Sequence, residues 1–227
     1  MGHRAARLGS HTVTRVDVTH VDPHVDPHVD PHVDHGQTPS QTVGPYFTMR
    51  LAGEGENVLT TPETVGERIR IEGRVLDGDR KHIEDALIEL WQADSAGRYH
   101  HPADDRADVP LDPAFSGFGR SASDFKTGAY SFLTIKPGPV PHPNGGTQAP
   151  HVSLTIQARG MLNPTFTRVY FDDESGANAA DPVLQSVPDD RRSTLIARRV
   201  DSADSSVPTY QFDIRYQGDD ETVFFDV

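Results

Sequence analysis

Apolar and polar residues alternate most strictly over residues 151–159. Val152, Leu154, Ile156 and Ala158 fall on one face of an extended chain, and His151, Ser153, Thr155, Gln157 and Arg159 fall on the other. The first set is a core face. The second carries a His, a Ser and an Arg at i, i+2 and i+8, which suits the lining of a pocket better than an open solvent surface. The same period of two appears in RIRIEGRVL (Arg68–Leu76), with Ile69, Ile71, Gly73 and Val75 together, and TFTRVYF (Thr165–Phe171) reads as another strand. ALIELWQA (Ala86–Ala93) reads as a further strand, with Trp91 as a core residue. Tyr130–Lys136 is β-branched and aromatic; Pro137, Pro139, Pro141 and Pro143 follow and remove the amide donors a ladder needs, so this stretch predicts strand, rigid proline loop, strand.

Turn formers separate these runs. They include Gly44-Pro45 ahead of Tyr46-Phe47, Asp77-Gly78-Asp79, and Asp94-Ser95-Ala96-Gly97. Residues 103–124 read as one long polar loop carrying Phe115, Phe118, Gly117 and Gly119. Asp181 followed by Pro182 predicts an N-cap and first helical position, opening one short helix through Val187. Thr194–Val200, Thr209–Gln217 and Glu221–Val227 read as closing strands, the last two joined as a hairpin through Gly218-Asp219-Asp220. About eight short strands with one short helix and long loops predict an all-β fold, a β-sandwich or open barrel, over residues 38–227.

Residues 1–37 break the pattern. Val21–His35 is a VDPH repeat with proline at Pro23, Pro27 and Pro31, a spacing that forbids a helix and strips donors from a sheet, so a disordered low-complexity tail is expected. His20, His24, His28, His32 and His35 interleave with Asp22, Asp26, Asp30 and Asp34. Loose binding of a divalent metal is one reading; a tandem expansion in an unstructured leader is the plainer one. No catalytic work is assigned to it. The 21 Lys and Arg against 34 Asp and Glu give a formal charge of −13, and the one basic cluster, Arg191-Arg192 with Arg198-Arg199, is flanked by aspartates, which argues against a nucleic-acid surface. The absence of cysteine excludes disulfides and thiolate metal sites. With no apolar run near the roughly 18–20 residues of a membrane span and no signal-peptide core, a cytoplasmic location is the default expectation.

His100 and His101 are adjacent, so on an extended chain they face opposite sides and read as surface histidines, not a metal pair. Six blocks then carry a resemblance: TPSQTVGPYF, ALIELWQADSAGRYHHPAD, FSGFGRSASDFKTGAYSFLTIKPGPVP, APHVSLTIQARG, FTRVYFDDE and DPVLQSVPDDRRSTLIARR. In this order, from Thr38 to Val227, they resemble the intradiol ring-cleavage dioxygenases, in particular the alpha-type chain of that family's two-chain members. The resemblance implies a ferric ion held in catalytic members by two tyrosinates and two histidines, hard donors that suit Fe(III). The corresponding positions here are Tyr99, Val140, His151 and Ser153. Valine has no donor atom and neutral serine is a poor substitute for imidazole. His142 would replace a ligand only if the proline loop were rebuilt.

No metal and no catalytic residue is therefore expected on this chain. The resemblance implies that Fe(III) sits on a catalytic beta subunit of the same fold, at a shared interface. Such an assembly cleaves 3,4-dihydroxybenzoate with dioxygen between its hydroxyl-bearing carbons, giving 3-carboxy-cis,cis-muconate. It further implies that Gly44, Pro45, Tyr46 and Arg159 wall the substrate pocket, with Arg159 as a charge-assisted partner for an aromatic carboxylate. A structural ion pair across the interface is the other reading of Arg159, and plain packing the other reading of Tyr46. A self-sufficient iron-dependent dioxygenase and a non-enzymatic β-sandwich binding module are the competing readings of the whole chain.

Overall fold

The computed structural model describes residues 39–44, 46–201 and 206–226. The leader of residues 1–37 and Pro45 lie outside the described residues. The chain begins with a short helix, α1 (Tyr46–Leu51), and continues through strands β1 (Arg68–Leu76), β2 (Leu87–Trp91), β3 (Phe118–Ala122) and β4 (Ala129–Ile135). A two-residue pairing, β5 (Val140–Pro141) with β6 (Thr147–Gln148), precedes β7 (His151–Gln157) and β8 (Thr165–Phe171). Helices α2 (Ser175–Ala180) and α3 (Pro182–Ser186) follow, and then β9 (Ile196–Val200), β10 (Thr209–Gln211) and β11 (Ile214–Arg215).

One sheet runs β11-β1-β10-β9-β8-β7-β2-β3, and β4 pairs antiparallel with β1. The sheet curls until its ends approach, where the Ser131 amide donates to Ser121 Oγ at 3.4 Å. Ile69, Ile71, Phe132 and Tyr210 from one half then pack against Ile88, Leu90, Val152 and Leu154 from the other, all buried. This is the open, sandwich-like barrel that the alternation predicts, because each strand places one residue in two toward the same core. The alternation of β7 is observed as read: Val152, Leu154, Ile156 and Ala158 are at most 2% exposed.

Four local readings are corrected. Phe118–Ala122 is a strand on the edge of β2, not part of a loop; its alternation is masked by Gly119, where a Cβ would come within 2.5 Å of Leu59 Cδ1. Residues 209–217 split into β10 and β11 at Phe212-Asp213. There the Phe212 carbonyl passes so close to Gly73 that a Cβ on residue 73 would lie 1.8 Å from it, while the Tyr130 hydroxyl donates to the same oxygen at 2.6 Å. Residues 221–226 form no ladder with β11, only the Thr222 amide donating to the Arg215 carbonyl at 2.9 Å; one bridge, Phe166 to Phe225, and the stacking of Phe224 on Tyr216 at 5.1 Å also hold that segment. Among the described residues three short α-helices occur where one was expected, since a helix of five or six residues is too short to show a 3.6-residue period.

The helix at Asp181 is capped as expected and the cap does more. Asp181 is fully buried; Oδ1 accepts from the Val183 and Leu184 amides at 2.8 and 2.7 Å and from the Tyr170 hydroxyl at 3.3 Å. Its Oδ2 accepts from the Ala149 amide at 2.7 Å, so one carboxylate ties α3 to the start of β7 and to β8. Replacing Asp181 by Ala leaves several buried donors unpaired, and the expected loss is about 3 kcal/mol or more, read as a lower urea midpoint at unchanged slope.

Candidate functional site

The register of β2, β7 and β8 sets the site. Trp91 lies opposite Ser153, and Ser153 opposite Arg168; one step along, His151 lies opposite Tyr170. These side chains share the sheet face that looks away from the sandwich core. Over them lies the β5–β6 pairing, in which Val140 faces Gln148. The turn after β2 delivers Tyr99: Asp94 Oδ1 accepts from the Ala96 and Arg98 amides at 2.9 Å, and the Tyr99 amide donates to Asp104 Oδ2 at 2.8 Å. Tyr99 then stacks on Trp91, with centroids 5.8 Å apart and planes 12° apart. The cleft so formed is open to solvent, about 780 Å³ in volume, and is lined in part by Trp91, Tyr99, Phe118, Val140, Pro141 and Gln148.

Trp91 is thus a cleft residue, in contact with Tyr99, His101 and Phe118, and not a core residue as its sequence context implied. Its place at the end of β2, on the outward face, explains the difference. His100 and His101 are both exposed, as expected, although His101 also sets its edge against Trp91.

The donor set does not fit a ferric ion. Val140 is buried and offers no donor. His142 does not replace it: Nδ1 accepts from the Asn144 amide at 3.2 Å and its own amide donates to the Gly146 carbonyl, which turns it into its own loop. His151 is 4% exposed and its Nδ1–H donates to the Ala149 carbonyl at 2.8 Å. Burial, and then the Arg168 cation, lower its pKa to about 4. Burial likewise raises the Tyr99 pKa, with Asp104 adding to the effect while Arg168 and Arg106 oppose it, so the phenol stays protonated. Arg168 adds a fixed positive charge beside these groups, its Nη1 donating to Gln148 Oε1 at 2.7 Å. Among the described residues, no group of three or more His, Asp or Glu side chains is placed to hold a metal.

The other expected residues gather elsewhere. Arg159 lies just past the opposite end of β7, and six residues at about 3.3 Å each put Gln157 roughly 20 Å from His151. Its Nε donates to Asp85 Oδ2 at 2.7 Å and its Nη2 lies 3.7 Å from Glu84 Oε2, so its partners are within the chain. The Gly160 amide donates to Thr42 Oγ1 at 2.6 Å, which fastens the segment leading to Gly44 and Tyr46 beside Arg159. Tyr46 is 76% exposed at the start of α1. Pro45 lies outside the described residues.

Arg168, Gln148 and Asp85 are the site residues that sequence reasoning missed. Arg168 sits on the outward face of an alternating strand, but only the pairing of β7 with β8 shows which residues it joins. Asp85 is 3% exposed with φ +50°, a left-handed conformation that aspartate adopts more readily than most residues other than glycine, and its Oδ1 is buried without a hydrogen bond.

A family profile described as Dioxygenase matches residues 42–218. The chain is 43% identical over 202 residues to the protocatechuate 3,4-dioxygenase alpha chain of Burkholderia cepacia, covering 84% of this chain and 98% of that one. It is also 39% identical over 172 residues to the beta chain of the same organism, covering 74% and 72% respectively. Among solved structures, 3-chlorocatechol 1,2-dioxygenase from Rhodococcus opacus 1CP superposes with a TM-score of 0.54 at 17% identity, over 79% of this chain and 71% of that one, a likeness of fold.

The depressed His151 pKa gives a pH test. Neutral His151 stabilises the fold fully above pH 6.5, where the unfolded histidine is also neutral. That stability is lost as pH falls from 6.5 toward 4, because the unfolded chain takes up the proton first. His151→Gln should remove roughly 3 kcal/mol of pH dependence in this window, measured as the difference between the two proteins' unfolding free energies against pH. Parallel curves would contradict it.

Proposed function

This chain belongs to the intradiol ring-cleavage dioxygenase family, and from that premise we propose that it is a non-iron-binding alpha subunit of a protocatechuate 3,4-dioxygenase. The observation that carries this reading is the failed metal cradle: two of the four ligand positions are Val140 and Ser153, and Arg168 sets a guanidinium beside the remaining pair. The family's reaction depends on iron, so the metal belongs on a beta-type partner of the same fold. Relatives that carry alpha-chain and beta-chain names support a two-chain assembly. The assembly inserts both atoms of dioxygen into 3,4-dihydroxybenzoate, opening the ring between its hydroxyl-bearing carbons to give 3-carboxy-cis,cis-muconate. Residues 38–227 form the dioxygenase-like domain in this reading, and residues 1–37 have no part in turnover.

The chain's own contribution is a wall of the substrate pocket, made by Gly44, Pro45, Tyr46 and Arg159. Three features support it. A Cβ built on Gly44 meets no atom within 4 Å, so nothing within this chain requires glycine there; close approach by substrate or partner supplies the reason. Tyr46 and Met49 leave 76% and 71% of their surface uncovered on α1. Arg159 is held from behind by Asp85 and Glu84, yet its side chain remains 46% exposed. A planar guanidinium held in that way presents its free edge to a carboxylate. Asp85 is the residue that fixes its orientation. Among the described residues no helix is long and apolar enough to cross a membrane.

Co-expression with a beta-type partner tests the reading: a stable complex should turn over 3,4-dihydroxybenzoate, and this chain alone should not. Turnover by this chain alone would overturn it. In the complex, Arg159→Ala should raise KM by about tenfold through loss of a charge-assisted pair, with assembly intact. Gly44→Ala should leave the melting temperature of this chain unchanged while lowering kcat/KM of the complex. Wild-type kinetics for both variants in an intact complex would remove the pocket-wall role.

A further inference from the structure

The turn into β2 carries a side chain that the turn itself does not require. Glu84 and Asp85 make the turn between Ile83 and Ala86. Ser123 is buried, and its hydroxyl closes that turn, donating to the Ile83 carbonyl at 2.9 Å and accepting from the Ala86 amide at 2.8 Å. Position 85 needs a positive φ, +50°, which glycine or asparagine supplies without burying a charge. Aspartate commonly holds such a backbone by bonding its side chain to a nearby amide. Asp85 makes no such bond among the described residues. Its Oδ1 is buried without a partner, and its Oδ2 lies 2.7 Å from Arg159 Nε. The Asp85 side chain is 2% exposed and that of Arg159 46%, so the carboxylate is out of water while its counter-ion is half in it. Such a pair returns little to the fold, because solvent screens the cation while the anion bears the full desolvation.

We infer that Asp85 is a positioning residue that the fold does not need, present to aim Arg159 in the assembled enzyme. This rests on the pocket-wall role of Arg159 and adds that the carboxylate behind it works against the stability of the free chain. The two acids at Arg159 then act differently. Glu84 is 51% exposed and 3.7 Å from Nη2, beyond hydrogen-bond reach, so an arriving anion displaces it. Asp85 sits on a turn pinned by Ser123 and cannot follow. A free arginine side chain samples many rotamers, and ordering it on binding lowers affinity. With Nε held, the planar Nη edge keeps one direction before any ligand arrives. Glycine at position 85 would serve the turn and lose that hold. Affinity and stability therefore respond in different senses to loss of the Asp85 carboxylate, as expected where a functional side chain opposes the fold. A structural ion pair would lower both together.

The test combines kinetics of the complex with a beta-type partner and thermal unfolding of the full-length chain. Asp85→Gly should raise KM for 3,4-dihydroxybenzoate about fivefold with kcat within about twofold of wild type. Asp85→Asn, which keeps an acceptor without the charge, should retain part of the affinity. Its unfolding midpoint should be no more than about 3 °C below that of the wild-type chain. In an Arg159→Ala background, Asp85→Gly should add nothing to KM, because it acts only through Arg159. Glu84→Gln should not raise KM. A larger fall in the Asp85→Asn midpoint, or a rise in KM from Asp85→Gly without Arg159, overturns the inference. So does an equal rise for Glu84→Gln, which would make the effect one of net charge. Wild-type KM for Asp85→Gly while Arg159→Ala raises it defeats this inference alone. Wild-type KM for Arg159→Ala defeats the pocket-wall role and this inference with it. If Asp85→Gly unfolds by circular dichroism, the KM of Asp85→Asn decides, and a wild-type value overturns the inference.

Discussion

One fully buried carboxylate organises the face on which the family's chemistry would take place. Asp181 joins the first amides of α3, the Ala149 amide ahead of β7 and the Tyr170 hydroxyl of β8. Ala149 in turn accepts from His151, so the first residue of β7 has a fixed ring orientation. From there the antiparallel register with β2 and β8 carries the order across the sheet and leaves Trp91, Ser153 and Arg168 in one row. That row of strand-paired residues is the scaffold of this face.

What fills that scaffold has changed its electrostatics. A ferric centre of this family's kind takes ionised phenols and neutral imidazoles. Here the remaining phenol is kept protonated by burial, and the remaining imidazole is buried and bordered by a guanidinium. Arg168 brings positive charge to this face without any metal. The two ends of β7 thus have different surroundings: the cleft lined by Trp91, Tyr99 and Gln148 near His151, and the Arg159 edge fastened to the N-terminal segment through Thr42.

Much of this was legible in the sequence, for physical reasons that also mark where legibility stopped. Alternation over β1 and β7 gives both strand and inward face, because a period of two has no helical counterpart. The Asp181-Pro182 cap was readable because its chemistry is local. β3 was not, since its inward residue, Gly119, has no side chain to show a hydrophobic phase. The break between β10 and β11 depends on the Phe212 carbonyl lying against Gly73, a contact 139 residues away in sequence that no local pattern encodes. The losses at Val140 and Ser153 could be read by resemblance alone. The gain of Arg168 required the strand register, and Trp91 passed for core because its strand reads as buried until its outward face is known.

The account rests on this chain being unable to hold the iron that its family uses. Iron content and the visible tyrosinate-to-iron absorption band of the full-length chain, purified with no partner after growth in iron-replete medium, test that most directly. The account predicts iron far below one equivalent and no band; one iron per chain together with the band would contradict it.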